Sequence, residues 1–155
     1  MDEIDRNILV ALQENGAAGL AELAKVAGLS VSATAERVKR LEERATIRGW
    51  RADLDPNAIG CPLLAFIFVG LRPGQDEAAF RRAIRRQDAV LECHAVTGGW
   101  SYLLKLRLAD LHALESFVAE HLRSLPAVER SETLIALASA KETAILPVAP
   151  ADEED

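Results

Sequence analysis

At 155 residues the chain has room for one domain or two small ones. Half of it is apolar, yet no run stays apolar over the roughly 18 residues that a membrane span requires. The formal charge of −6 argues against nucleic acid, but four of the negative charges sit at 152–155, and setting them aside leaves 18 basic against 20 acidic groups. A near-neutral average of this kind can hold a local basic face, so the charge has to be read element by element.

The first 45 residues carry a helical period. Ile4, Ile8, Leu9 and Leu12 recur at three- and four-residue steps, Asp2 is placed to cap the start, and Asn15–Gly16 to end it. In "LAELAKVAG" the residues Leu20, Leu23, Ala24 and Ala27 share one face, and Gly28 supplies the left-handed residue that closes a helix. Ser30 is an N-cap for "VSATAERVKRLEER", whose inward positions are expected to be Val31, Ala35, Val38 and Leu41. Three short helices, the last two joined by a glycine turn, form a helix-turn-helix pattern. The outward face of the third helix carries Ser32, Ala33, Glu36, Arg37, Arg40 and Arg44, with Thr34 and Lys39 at its margins. Small residues at the front let such a helix enter a major groove, and arginines pair with phosphates or guanine edges. Glu36, Glu42 and Glu43 fit a merely solvated face equally well, and the pattern alone leaves both readings open.

Residues 50–61 read as a short linking strand, because Trp50, Ala52 and Leu54 alternate with Arg51, Asp53 and Asp55 before Pro56. Beyond it the period changes. "PLLAFIFVGLR" (62–72), "AVLECHAV" (89–96), "WSYLLKLRL" (100–108) and "VERSETLIALA" (128–138) are strand-like. "DEAAFRRAIRRQ" and the Asp110-capped "DLHALESFVAEHLRSL" are helical, with Leu111, Leu114, Phe117, Val118 and Leu122 on one side of the second. The order strand–helix–strand–strand–helix–strand is the ferredoxin-like βαββαβ arrangement. The fold class is therefore α+β, with a helix-turn-helix region at 1–49, a linker at 50–61, a ferredoxin-like domain at 62–148 and an acidic tail at 149–155. In the first of these strands both alternating sets are apolar: Leu63, Ala65, Ile67, Val69 and also Leu64, Phe66, Phe68. Helices cover one face of such a sheet, and a second copy of the chain, or a loop, has to cover the other. A homodimer is the expectation.

The acidic start "MDEIDRNIL" lacks the basic segment of a secretory signal. Cys61 and Cys93 have no CxxC spacing, and His94, His112 and His121 are scattered, so neither zinc nor a disulfide framework is indicated. No metal, cofactor or membrane partner is expected, and a reduced, cytoplasmic setting is the default.

Taken in order, "EIDRNIL", "LAKVAGLS", "ERVKRLEE", "IRGWRADLDPNAIG", "ECHAVTGG", "YLLKLR" and "KETAILP" resemble the Lrp/AsnC (leucine-responsive and asparagine regulator) family of bacterial and archaeal transcription factors, over 4–147. The resemblance implies an N-terminal reader of double-stranded DNA and a C-terminal domain that dimerises, often on the way to an octamer, and in many members binds an amino acid or other small effector. It maps the recognition helix onto 30–44, with Ser30, Ser32, Thr34, Arg37, Lys39 and Arg40 as DNA-contact candidates. It maps the effector loop onto Thr97, Gly98, Gly99, Trp100 and Ser101, with Ser131 and Thr133 on the last strand. Two departures stand out. Ala45 occupies a position where the family usually has glycine. The loop reads Gly98–Gly99–Trp100–Ser101 where members commonly show Gly–Asp–aromatic–Asp. Without those two acids the loop is expected to bind a less cationic or larger ligand, or none.

Sirohaem decarboxylases resemble the same two-domain plan and offer an enzyme alternative, resting here on His94 alone, the one histidine in a sheet strand. No paired carboxylates, nucleophile–base arrangement or P-loop glycines appear elsewhere, so no catalytic residue is assigned. The tail "ADEED" reads as a solvated end or, alternatively, as an interaction segment.

Overall fold

The computed structural model describes residues 1–148, so the acidic tail lies outside the described residues. The described residues divide into two compact units: 1–53 together with 141–148, and Leu54–Ala140.

In the first unit, α1 (Glu3–Glu14), α2 (Leu20–Ala27) and α3 (Val31–Glu43) enclose a core of Ile8, Leu12, Leu23, Ala27 and Leu41. The caps form as their residue types dictate. Asp2 Oδ1 accepts from the Asp5 N–H at 2.8 Å, and Ser30 Oγ from the Ala33 N–H at 3.2 Å. Gly28 closes α2 at φ 64°, where the Leu29 N–H returns to the Ala24 carbonyl at 3.1 Å. The inward stripe of α3 differs from the expectation. Val31 is half-exposed in the first turn, and Thr34 is fully buried in its stead. A hydroxyl can take that place because it donates to the Ser30 carbonyl at 3.0 Å, so its polarity is satisfied inside the helix.

Helix α3 ends in a Schellman arrangement, with the Ala45 N–H bonded to the Glu42 carbonyl and the Thr46 N–H to the Leu41 carbonyl, both at 2.9 Å. Ala45 takes the left-handed conformation, φ 55°, and is the one non-glycine with positive φ among the described residues. The turn is kept, at a cost of about 1 kcal/mol for the crowded Cβ.

Residues 50–61 do not form the expected linking strand. Residues 51–55 are irregular, and 56–60 form a turn closed by the Cys61 N–H on the Pro56 carbonyl at 2.8 Å. Alternation alone cannot make a strand, since its N–H and C=O groups need a neighbour, and none pairs with this segment among the described residues. The last described residues also contact the first unit. The Gln13 side chain donates to the Leu146 carbonyl at 3.0 Å and accepts from its N–H at 2.7 Å, which places the segment from Lys141 with α1.

The second unit runs β1 (Leu63–Leu71), α4 (Glu77–Ile84), β2 (Val90–Ala95), β3 (Tyr102–Leu108), α5 (Leu111–Phe117, continued by a π-helical turn Val118–Leu122) and β4 (Val128–Ile135). The sheet is antiparallel in the order β2-β3-β1-β4, as the ferredoxin-like reading requires. Asp76 and Asp110 cap the two helices through the Ala79 and Ala113 N–H groups, at 2.9 and 2.8 Å. Ala65, Ile67, Val69, Leu104 and Leu106 form the core with Phe80, Ile84, Leu114, Phe117 and Leu122. On the opposite face, Leu64, Phe66 and Phe68 of β1 lie beside Arg107, Lys105 and Leu103 of β3, and Leu134 of β4 lies beside Phe66. Phe66 and Phe68 are half-exposed and Leu134 is exposed, because the helices pack on the other side.

Candidate nucleic-acid interface and effector loop

Helix α3 presents Ser32, Ala33, Glu36, Lys39, Arg40 and Arg44 to solvent. Lys39 and Arg40 make only exposed pairs along the helix, with Glu43 at 3.7 Å and Glu36 at 3.9 Å. Pairs of this kind are worth little and give way readily to a phosphate. Ser30 and Ser32 are exposed, and their hydroxyls lie 3.2 Å apart. Thr34 is corrected as a DNA-contact candidate, since its side chain has no solvent exposure. Arg37 stands apart from the rest. Its Nη1 donates to Asp2 Oδ2 at 2.6 Å and to Asp5 Oδ1 at 2.7 Å, which draws the side chain back against α1.

That contact tunes Asp2. The Asp5 N–H first, and then the Arg37 guanidinium, hold its carboxyl below the usual carboxylate range. Because the folded value is depressed, the ionised form stabilises the unit across neutral pH. The contribution is lost as pH falls through that lowered value.

The candidate effector loop, 97–101, joins β2 to β3. Gly98 sits at φ 101°, a conformation that excludes ordinary side chains, whereas Gly99 is not in that region and a Cβ there would meet nothing within 4 Å. Trp100 stacks on Phe68 with ring centroids 5.8 Å apart. The Arg130 guanidinium lies over the Trp100 ring, 4.2 Å from its centroid, and Nη2 donates to the Gly99 carbonyl at 2.5 Å. Ser101 is bound into the sheet: its N–H donates to the Val69 carbonyl at 2.9 Å, and its hydroxyl accepts from the Leu71 N–H at 3.0 Å. Thr97 is exposed at the start of the loop.

Ser131 and Thr133 do not join this group. The register sets them opposite Val69 and Ile67, on the helix-covered face, while Trp100 lies on the Phe68 side. Side chains alternate along a strand, so the three cannot share one lining within a chain. Arg130 and Phe68 stand against Trp100 instead, and neither is among the candidates that the sequence offers. The available signal was Gly70, a glycine inside an apolar strand. A Cβ on it would meet Arg130 Cγ at 2.9 Å, so its absence leaves the room through which Arg130 crosses β1.

His94, on which the enzyme alternative rests, is exposed and lies 3.1 Å from a Glu92 carboxylate oxygen, with Lys105 3.4 Å from the other. Cys93 is half-buried against the core, and burial pushes its thiol above its ordinary value. Among the described residues no group of three or more His, Cys, Asp or Glu could hold a metal ion, and no helix is long and apolar enough to cross a membrane.

Two family models match the chain in order: the AsnC-type helix-turn-helix domain over residues 1–42 and the Lrp/AsnC ligand binding domain over 64–146. The leucine-responsive regulatory protein of Escherichia coli (strain K12) is 37% identical over 145 residues, covering 92% of this chain and 88% of that protein. Among solved structures, a transcriptional regulator from Neisseria meningitidis in complex with L-Met is 35% identical, with a TM-score of 0.90 over 95% of this chain and 96% of that one. The AsnC structure from E. coli is 29% identical, with a TM-score of 0.87 over 95% and 99% of the two chains. Two family models in order, with a relative matched over nearly the whole length, make one conclusion: the chain belongs to the Lrp/AsnC family of transcriptional regulators.

Proposed function

We propose that this regulator binds double-stranded DNA as a homodimer, with the exposed face of α3 in the major groove and Ser32, Lys39 and Arg40 making the contacts. The observation that carries the reading is the Ser30-capped α3 itself. It is set on α2 by the left-handed Gly28 turn, and it has small residues at its front and loosely paired cations behind them. Its action is binding, without bond chemistry. Phosphate neutralisation supplies affinity that falls with salt, and base-edge contacts supply discrimination of about 1–3 kcal/mol each. The uncovered apolar face of the sheet supports pairing of two chains there, with higher assembly up to an octamer open to them. A two-fold dimer presents two α3 helices to half-sites about one helical turn, roughly 34–36 Å, or a multiple of it apart.

The loop at 97–101 is the proposed effector site, and the L-Met complex of the Neisseria relative supports an amino-acid class of ligand. In this chain the site offers a cation, Arg130, and an aromatic ring, with Gly99 and Ser101 where acids would hold an ammonium group. Ordinary amino acids are therefore expected to bind weakly, and a less cationic or larger ligand better.

Arg40→Ala is expected to weaken binding to a duplex selected on the wild-type protein by about tenfold, roughly 1.4 kcal/mol. Sedimentation should remain unchanged. Equal affinities in a gel-shift titration of the two proteins would contradict the assignment of α3.

A further inference from the structure

We infer that Arg37 is a positioning residue for DNA binding: clamped by Asp2 and Asp5, it fixes α3 against the start of α1 and so sets how α3 meets the groove. The inference rests on the reading of α3 as the DNA element, and it reassigns one of the residues that the sequence offers as a contact.

Three observations carry it. A single guanidinium nitrogen is shared by two carboxylates, at 2.6 and 2.7 Å, from residues 35 and 32 positions away. The Arg37 side chain is 24% exposed and that of Asp5 16%, against 53% for Arg40 and 65% for Lys39. The Asp2 carboxylate is itself fixed, because its other oxygen caps α1 through the Asp5 N–H. Planar, multiply bonded arginine holds two helices in one relative geometry, as a loosely paired cation does not.

Charge points the same way. Two carboxylates claim the one guanidinium, so Arg37 itself has little charge left to offer a phosphate, although Arg40 and Arg44 line the same cavity. If Coulomb attraction alone mattered, neutralising Asp5 would favour DNA by removing a negative charge and releasing an arginine. If the clamp matters, the same change weakens binding. The two accounts differ in sign.

The experiment is a fluorescence-anisotropy titration across a salt series, using a labelled duplex selected from a random-sequence pool on the wild-type protein. Variants are Asp5→Asn, Arg37→Gln, the two combined, Asp5→Glu and Arg40→Ala, each checked by circular dichroism to be folded at the assay temperature. Asp5→Asn and Arg37→Gln should each weaken binding about tenfold, and the double variant no more than either single one, since both break the same contact. Asp5→Glu, which keeps the charge, should recover most of the loss. The slope of log affinity against log salt should be unchanged in Arg37→Gln, whereas loss of a phosphate contact lowers it by about 0.9.

A lowered slope in Arg37→Gln, or affinity raised or unchanged in Asp5→Asn, overturns the clamp. If Asp5→Asn does not fold, Asp2→Asn carries the same sign test at a more exposed carboxylate. Arg40→Ala separates the two levels of the argument. If it weakens binding while Asp5→Asn does not, the clamp alone fails; if it has no effect, α3 is not the DNA element and the clamp's role falls with it.

Discussion

Phe66→Glu is expected to leave the protein monomeric in sedimentation at micromolar concentration, where the wild type sediments as a dimer or a multiple of one. Phe66 lies on the helix-free face of β1, between Lys105 of β3 and Leu134 of β4. In an isolated chain a glutamate there is half-exposed and sits beside a lysine, so the fold tolerates it. In a sheet-to-sheet dimer each chain loses a buried aromatic contact of about 1.5–3 kcal/mol. Each chain also buries a carboxylate, which costs more unless it is fully paired. Summed over two protomers, the loss exceeds about 4 kcal/mol, or roughly a thousandfold in the dissociation constant. Dimer sedimentation of the variant at wild-type strength would contradict pairing through this face.

Gly99→Asp is the second large expected effect. Gly98 cannot be replaced cheaply, at φ 101°, but Gly99 lies outside the left-handed region and has open space where a Cβ would stand. Aspartate at 99 therefore adds an acid beside Trp100 with little cost to the fold. Ser101→Asp can be added to it, since a carboxylate can accept the Leu71 N–H as the hydroxyl does. A charge-assisted bond to a ligand's ammonium group is worth about 1.5–3 kcal/mol, so L-Met affinity should rise by roughly ten- to a hundredfold over the wild type in calorimetry. Tight binding of an ordinary amino acid by the unaltered protein, or no gain in the variant, would contradict this account of the loop.

Much of the fold was legible because its signals are local. Asp2, Ser30, Asp76 and Asp110 cap helices through N–H groups three residues on, and Gly28 ends α2, all from chemistry that a short window contains. The sheet order followed from the sequence of strands and helices. What remained hidden depends on residues far apart in the chain. Nothing within a helical turn of Arg37 reveals that Asp2 and Asp5 claim it. Nothing beside Arg130 shows that the gap at Gly70 lets it reach Trp100. Ser131 and Thr133 are next to Arg130 and Glu132 in sequence, yet a one-residue difference in register decides which face each takes. Thr34 and Val31 exchanged places because a hydroxyl with a partner inside its own helix is no longer polar to its surroundings. The segment 50–55 has the alternation of a strand and lacks only the neighbour.

The most direct measurement of the central claim is a hydroxyl-radical footprint of the full-length protein on a duplex selected from a random-sequence pool. The account predicts two related half-sites, each protected on the same face of the duplex, with centres about 10–10.5 base pairs or a multiple of that apart. Protection of one isolated half-site, or uniform protection without sequence preference, would contradict it.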